Sequence, residues 1–316
     1  MHPARSIVLF TTASGAGYGL LALLGLLGPT GLLPQERGFG AAGLALALAL
    51  VVLGLLSSTF HLGHPERAWR ALTQWRSSWL SREGVAALLT FLPAGLYGFG
   101  WVFRGDTAGG WALAGWTASL GALVTVACTA MIYASLKPIP RWRHPLVLPL
   151  YLVFAAVSGL LLLNALLAGS RDGIALAALI ALVLAWALKL AYWRGIDRAE
   201  PVATPESATG LGKFGKVRLL EPPHTGSNYL LDEMGFRIAR KHARKLRLLA
   251  LLLGGVLPLL LIALGMVPDF LGAGPAQAAA ALVAAVSGLF GIVLERWLFF
   301  AEAKHTVSLY YGDRLA

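Results

Sequence analysis

Residues 40–56 read GAAGLALALALVVLGLL, an uninterrupted apolar run that begins with Gly40 and ends with Leu56. A helix needs about 20 predominantly apolar residues to cross the hydrocarbon core of a bilayer. The run continues through small hydroxyl residues to Phe60, so it predicts a membrane-spanning helix over residues 40–60. Comparable runs recur along the whole chain, and they determine its fold class.

The composition excludes a soluble domain of ordinary type. Apolar residues make up 57% of the 316 residues and charged residues only 13%, whereas soluble domains carry about a quarter charged residues. We therefore predict an all-α, polytopic membrane protein, a bundle of eight transmembrane helices forming one integral membrane domain over residues 1–316. The predicted spans are 7–29, 40–60, 83–103, 111–135, 146–168, 173–193, 247–267 and 276–299, with one long loop at 194–246.

The basic residues fall on one side of this predicted bundle. The net charge is +11, and all but three of the 26 Lys and Arg residues lie on the side that carries both termini. The exceptions are Arg37, Arg104 and Arg171. Because cytoplasmic loops carry the excess of Lys and Arg, both termini are predicted to be cytoplasmic. Charge beside membrane spans indicates contact with lipid rather than with nucleic acid.

Two ionisable residues flank the link between spans two and three. His61 ends span two and Glu83 begins span three, so both lie at one membrane depth. A quinone headgroup has two carbonyls to hydrogen-bond, and it exchanges two protons with its two electrons. A histidine titrates near neutrality and a partly buried carboxyl holds its proton more tightly, so this pair suits that chemistry. Ionisable groups at membrane depth are functional candidates.

A structural role for the same pair remains open. His61 also suits a helix cap, and Glu83 an ion pair with Arg67, Arg70 or Arg82. Tyr18 and Ser14 are four residues apart and share one helical face, where they would line a quinone pocket or serve as packing residues.

Metal and haem sites are not expected in this chain. Cys128 is the single cysteine, which rules out an intrachain disulfide and an iron–sulfur cluster ligated by four thiolates. The other histidines lie in loops or near helix ends, whereas a membrane haem takes two imidazoles facing each other inside the bilayer. Zinc requires clustered nitrogen or sulfur ligands, which the sequence does not offer.

A basic run leads into span seven and contains Arg237, Arg240, Lys241 and Arg244. Ordinary membrane orientation accounts for it, and docking of an acidic partner surface is a second use. Near the end of the chain, Glu295 and Arg296 are expected to form part of a charged helix at the membrane interface.

The link between spans two and three resembles a known family. His61-Leu62-Gly63, Pro65 and Arg67-Ala68-Trp69, followed by Leu80-Ser81 and Glu83, are similar to the motif of the membrane anchors of bacterial dimethyl sulfoxide reductases. The segment Glu233-Met234-Gly235-Phe236-Arg237 resembles these anchors too. The first residues, Met1-His2-Pro3-Ala4 and residues 11–18, are more similar to anchors of sulfite-oxidising molybdoenzymes.

The resemblance implies a subunit of a three-part complex in the bacterial inner membrane. A catalytic subunit would hold molybdopterin, a ferredoxin-like subunit would hold the iron–sulfur clusters, and the haem-free anchor would react with menaquinone or ubiquinone. The quinone site of the family falls on His61 and Glu83, and Gly63 and Arg67 match its motif. Electrons would run from sulfite to quinone, or from quinol to dimethyl sulfoxide.

Two other classes of function remain open on the sequence. A transporter would place charged groups and broken helices in the middle of the membrane, whereas the charges here cluster at the ends of the predicted spans. A passive anchor would assemble the same complex without a quinone site.

Overall fold

The computed structural model describes residues 5–59, 64–200, 203–221, 240–267, 270 and 274–311. Within these ranges it is all-helical, and eight helices are long and apolar enough to cross a membrane. Exposed leucines such as Leu88, Leu89 and Leu92 cover their outer faces. In water such a surface would be unstable, and in lipid it is the expected exterior. The chain is a multi-pass membrane protein.

The spanning helices follow one another with short links except at two places. They are α1 (Arg5–Leu27), α2 (Arg37–Thr59), α3 (Trp79–Gly98), α4 (Gly109–Ala134), α5 (Val147–Leu166), α6 (Asp172–Arg198), α7 (Ala243–Gly265) and α8 (Pro275–Ala301). The link before α3 contains a 3₁₀ helix, Pro65–Gln74. The link before α7 contains a short helix, Pro205–Thr209, and a 3₁₀ turn, Gly212–Phe214.

Helix α6 continues past the apolar run that predicts it. The predicted span ends at residue 193, but the helix extends to Arg198. Its last turns carry Asp197, which accepts two hydrogen bonds from Arg247 near the start of α7. Apolar run length locates the part of a helix that lies in hydrocarbon, and a contact such as this one extends the helix beyond it.

Helix α7 contains a π-helical segment, Leu252–Val256, directly before Pro258. Proline has no N–H, so the carbonyl four residues earlier loses its helical partner. That carbonyl belongs to Gly254, and the indole N–H of Trp186 on α6 donates to it at 2.9 Å. The neighbouring helix thus satisfies a carbonyl that would otherwise be unpaired in a medium without water.

Helix α1 lies at the centre of the bundle, in contact with α2, α4, α5 and α8. Its contact with α5 is a backbone contact, because a Cβ at Gly19 would overlap the Ala155 carbonyl and a Cβ at Gly159 would overlap the backbone of Gly19. Glycines allow membrane helices to approach this closely. The other half of the bundle uses the same device, with Gly254 of α7 against Gly291 of α8.

We expect Gly159→Ala to separate α1 from α5 and to lower the free energy of unfolding by about 1–3 kcal/mol, the usual cost of overpacking. The measurement is thermal unfolding of the purified protein in detergent. Gly95→Ala is the matched control, because a Cβ at Gly95 meets nothing within 4 Å and alanine favours the helix. Equal melting temperatures for the two variants would contradict a close α1–α5 contact.

Candidate quinone site and buried charge cluster

The bundle has one basic end, at which α1 and α3 begin and α8 ends. At this end the link before α3 lies along the surface, and Trp69 and Trp75 are exposed. Each of these rings carries an arginine over its face, Arg70 over Trp69 and Arg76 over Trp75. Aromatic and basic residues in such pairs are typical of a membrane–water interface.

Helix α3 begins in a well-capped turn that fixes the depth of Glu83. The Ser78 side chain caps the helix, and the Ser81 hydroxyl donates to the Ala71 carbonyl of the link. Arg82 donates to the carbonyls of Trp75 and Arg76 at 3.0 and 2.7 Å. These contacts attach the link to the first turn of α3, so Glu83 follows on the inner face of the helix.

Glu83 is 4% exposed and takes a neutral partner. The Thr129 hydroxyl of α4 donates a hydrogen bond to its carboxyl. No arginine pairs with it within the described ranges, since Arg82 binds carbonyls and Arg67 pairs with Glu66 at 3.6 Å. The ion pair with an arginine of the link, which the sequence left open for Glu83, is therefore not formed with Arg67 or Arg82.

The other predicted site residues are placed separately. Tyr18 is buried, and its hydroxyl lies close to Thr125 and to Glu83. Ser14 is buried too, but its hydroxyl donates to the Phe10 carbonyl at 2.6 Å. Arg67 is exposed at the surface of the link. His61 and Gly63 lie outside the described residues.

A small polar cavity lies behind Thr129, which forms part of its wall. It measures about 10 Å³, which is room for about one water molecule. Helices α1, α4, α5 and α8 line it, and its polar lining residues are Thr11, Thr12, Ser14, Thr129, Tyr151, Ser158 and Arg296. A quinone headgroup would not fit in this space.

Three charged side chains are fully buried next to this cavity. Lys189 of α6 is 1% exposed, and Glu295 and Arg296 of α8 are 0% and 3% exposed. Glu295 forms ion pairs with Lys189 and, at 3.5 Å, with Arg296. The Arg296 guanidinium lies 3.6 Å over the ring of Tyr151 on α5.

The sequence predicts a charged interfacial helix at Glu295 and Arg296, and the structure shows that both side chains are buried inside the bundle and not exposed to solvent. Both residues lie within α8, which continues to Ala301, and they face the bundle interior. The signal that sequence reasoning missed is Lys189, a lone cation in the apolar stretch of α6. A buried cation needs a partner, and the carboxylate that supplies it is far away in the sequence.

A larger basic pocket of about 790 Å³ opens beyond the ends of α6, α7 and α8. Arg247 pairs with Asp197 at 2.5 Å and with Glu302 at 2.8 Å, and so joins these three helix ends. Arg240 donates to the carbonyls of Ala301 and Ala303. Cations also line the pocket at Arg141, Lys241, Arg244, Lys245 and Lys304. Arg237, a predicted docking residue, lies outside the described residues.

Comparisons with known proteins agree with this architecture. The family described as DMSO reductase anchor subunit (DmsC) matches residues 1–207. A sulfite dehydrogenase subunit of Allochromatium vinosum is 34% identical over 329 aligned positions, which cover 98% of this chain and 99% of that protein.

The buried cluster predicts a strong coupling between α6 and α8. We expect Lys189→Met to lower the free energy of unfolding by about 3–5 kcal/mol, because it removes one partner of a buried ion pair. The double variant Lys189→Met, Glu295→Gln should recover part of this loss. Thermal unfolding of wild type, Lys189→Met, Glu295→Gln and the double variant gives the coupling free energy of the pair. Lys137→Met is the control, since Lys137 is exposed; additive effects would contradict the pairing.

Proposed function

The chain belongs to the DMSO reductase anchor subunit family and is a membrane anchor subunit of that type of complex. We propose that it binds quinone beside Glu83 and exchanges electrons with an iron–sulfur subunit. The observation that carries the proposal is the Glu83 carboxyl. It is buried in the first turns of a spanning helix, and its hydrogen bond comes from a neutral hydroxyl. Such a carboxyl is free to take up and release a proton.

The described residues supply part of what a quinone headgroup requires. Glu83 offers a carboxyl, and the buried Tyr18 hydroxyl is a hydrogen-bonding group close to it. When bound, a quinone accepts or gives two electrons and two protons. Since the cavity behind Thr129 has room for one water, the headgroup would lie on the side of the link, where His61, Gly63 and Arg67 follow in sequence.

Separate roles follow for the proposed site residues. Glu83 and His61 would each hold or pass one proton at a headgroup oxygen. Tyr18 would orient the headgroup with its hydroxyl, and Gly63 and Arg67 would shape the entrance from the link. Ser14 would act less directly, because its hydroxyl already donates to Phe10.

The complex would contain a molybdopterin catalytic subunit and an iron–sulfur subunit in the bacterial inner membrane. Menaquinone and ubiquinone present the same two carbonyls to this site. The similarity to a sulfite dehydrogenase subunit supports electron flow from sulfite to quinone, while the family description fits the reverse flow from quinol to dimethyl sulfoxide.

The partner subunits would dock at the basic end. Electron transfer needs a short path between a cluster and the quinone, so the iron–sulfur subunit must lie on the side of Glu83. By the positive-inside rule, we assign this end, with both termini, to the cytoplasm. Arg240, Lys241 and Arg244 line the basic pocket there, and we assign them, with Arg237, to an acidic surface of the partner.

The test of the quinone site is Glu83→Gln in the assembled complex. Quinone-coupled turnover should fall by about 100-fold or more, because the variant removes a proton-transferring group but keeps the shape. Turnover with an artificial electron acceptor, which bypasses the anchor, should be unchanged. Glu66→Gln is the control, since Glu66 is exposed in the link. Normal coupled turnover in Glu83→Gln and in His61→Ala would refute the assignment and leave a passive anchor.

Docking is tested separately with the double variant Lys241→Gln, Arg244→Gln. At physiological salt, less of the two partner subunits should co-purify, and low salt should restore them, because surface charge attraction is screened by ions. The control is Arg104→Gln, Arg171→Gln, which removes two charges at the opposite end. Retention equal to the control at every salt concentration would place the partner elsewhere.

A further inference from the structure

The polar cavity behind Thr129 has an unusual balance of hydrogen-bonding groups. Four hydroxyls in its wall already give their hydrogen to a carbonyl one turn earlier in their own helix, at 2.6–3.0 Å. They are Thr11, Thr12, Ser14 and Ser158. Each of these oxygens can therefore only accept a further bond.

Two other residues in the wall of the cavity supply donors. Tyr151 is 4% exposed, and its hydroxyl has no hydrogen-bond partner among the residues described. The Arg296 guanidinium lines the same space, and it can only donate. A buried hydroxyl without a partner is costly, and ordered water commonly satisfies such groups.

We propose that one water molecule is bound in this cavity, where it links Arg296 to Glu83 through Thr129. It accepts hydrogen bonds from Tyr151 and Arg296, and donates to Thr129 and to one hydroxyl of α1. Thr129 in turn donates to Glu83. Arg296, the water and Thr129 thus form a series in which each group donates to the next, in the direction of the carboxyl. The inference rests on the proposed role of Glu83 and deepens it.

Thr129 has a second acceptor within reach, the Thr125 carbonyl at 3.0 Å. When Glu83 is ionised, the Thr129 hydrogen goes to the carboxylate, because bonds to a charged acceptor are stronger. When Glu83 is protonated, its own hydrogen goes to the Thr129 oxygen, and the Thr129 hydrogen turns to Thr125. The water and Arg296 favour the first arrangement, since successive hydrogen bonds polarise one another.

The series therefore stabilises the ionised form of Glu83, which is the form that accepts a proton. Thr129, Tyr151 and Arg296 are positioning residues. Other titratable groups also face Glu83 or lie beside it: Tyr18 on α1, Cys128 and Tyr133 on α4, Tyr151 on α5 and Arg82 on its own helix. The cation of the set, Arg82, is committed to two carbonyls of the link. The water-linked Arg296 is thus the positive group that reaches Glu83 from inside the bundle.

The first experiment is Thr129→Val in the complete complex, with Thr90→Val as the matched control. Thr90 is a buried threonine whose hydroxyl donates to its own helix, at Ala86, and it does not line the cavity. Thr129→Val should shift the midpoint of the pH profile of quinone-coupled turnover upward by about one pH unit, because the carboxylate loses a hydrogen bond. The direction is the same whether Glu83 accepts or gives the proton, because protonation becomes easier.

A second readout does not depend on turnover. Infrared spectra at fixed pH should show a larger carboxylic acid C=O band in Thr129→Val than in wild type or Thr90→Val, and Glu83→Gln should remove that band. Tyr151→Phe, which deletes only the hydroxyl, should produce a smaller change of the same sign. An experimental structure of the complex should show density for one water between Tyr151, Arg296 and Thr129.

An empty cavity in that structure, or an unchanged carboxyl band in both Thr129→Val and Tyr151→Phe, would overturn the inference. Failure of the proposed function is distinguishable from this outcome. If the proposed function is wrong, Glu83→Gln retains quinone-coupled turnover, while the infrared comparison still reports whether the water is linked to Glu83.

Discussion

The absence of water in the hydrocarbon core is the constraint on which this structure depends. Every backbone group must be paired within the protein, so the chain is helical wherever it crosses. Where Pro258 removes one N–H, Trp186 of the neighbouring helix donates to the carbonyl left over. The same constraint acts on buried charges, and it explains why Lys189 and Arg296 are found beside Glu295. The helical spans and the internal polar contacts thus follow from one physical rule.

The fold was largely predictable from sequence, and the polar interior was only partly so. Run length predicts eight spanning helices because hydrophobic thickness is a property of the bilayer, and the structure confirms eight such helices among the residues it describes. A partly buried Glu83 was expected from its place at the start of a span. The partner Thr129 and the buried cluster were not expected, because they join helices that are distant in sequence. The burial of Glu295 and Arg296 was not predicted either, because adjacent opposite charges resemble a solvated surface.

The quinone proposal and the buried cluster involve different parts of the chain. The family match covers residues 1–207 and includes α3 and α4, which carry Glu83 and Thr129. Helix α8, with Glu295 and Arg296, lies beyond it, although the sulfite dehydrogenase relative aligns over nearly the full length. Helix α1 contacts α2, α4, α5 and α8, so it holds these two parts together. The polar cavity lies at that junction, where both sets of residues contribute to its wall.

The hydrogen bonds of Arg240 give the basic end a mechanical connection to the interior. Its guanidinium closes the last turn of α8 by binding the carbonyls of Ala301 and Ala303. The Ala301 carbonyl belongs to the set that any helix leaves open at its C-terminus, and a cation there also offsets the helix dipole. A partner that drew Arg240 away would loosen the end of the helix that carries Arg296. Binding of a partner at the surface would then alter the polar contacts of the bundle interior through helix α8.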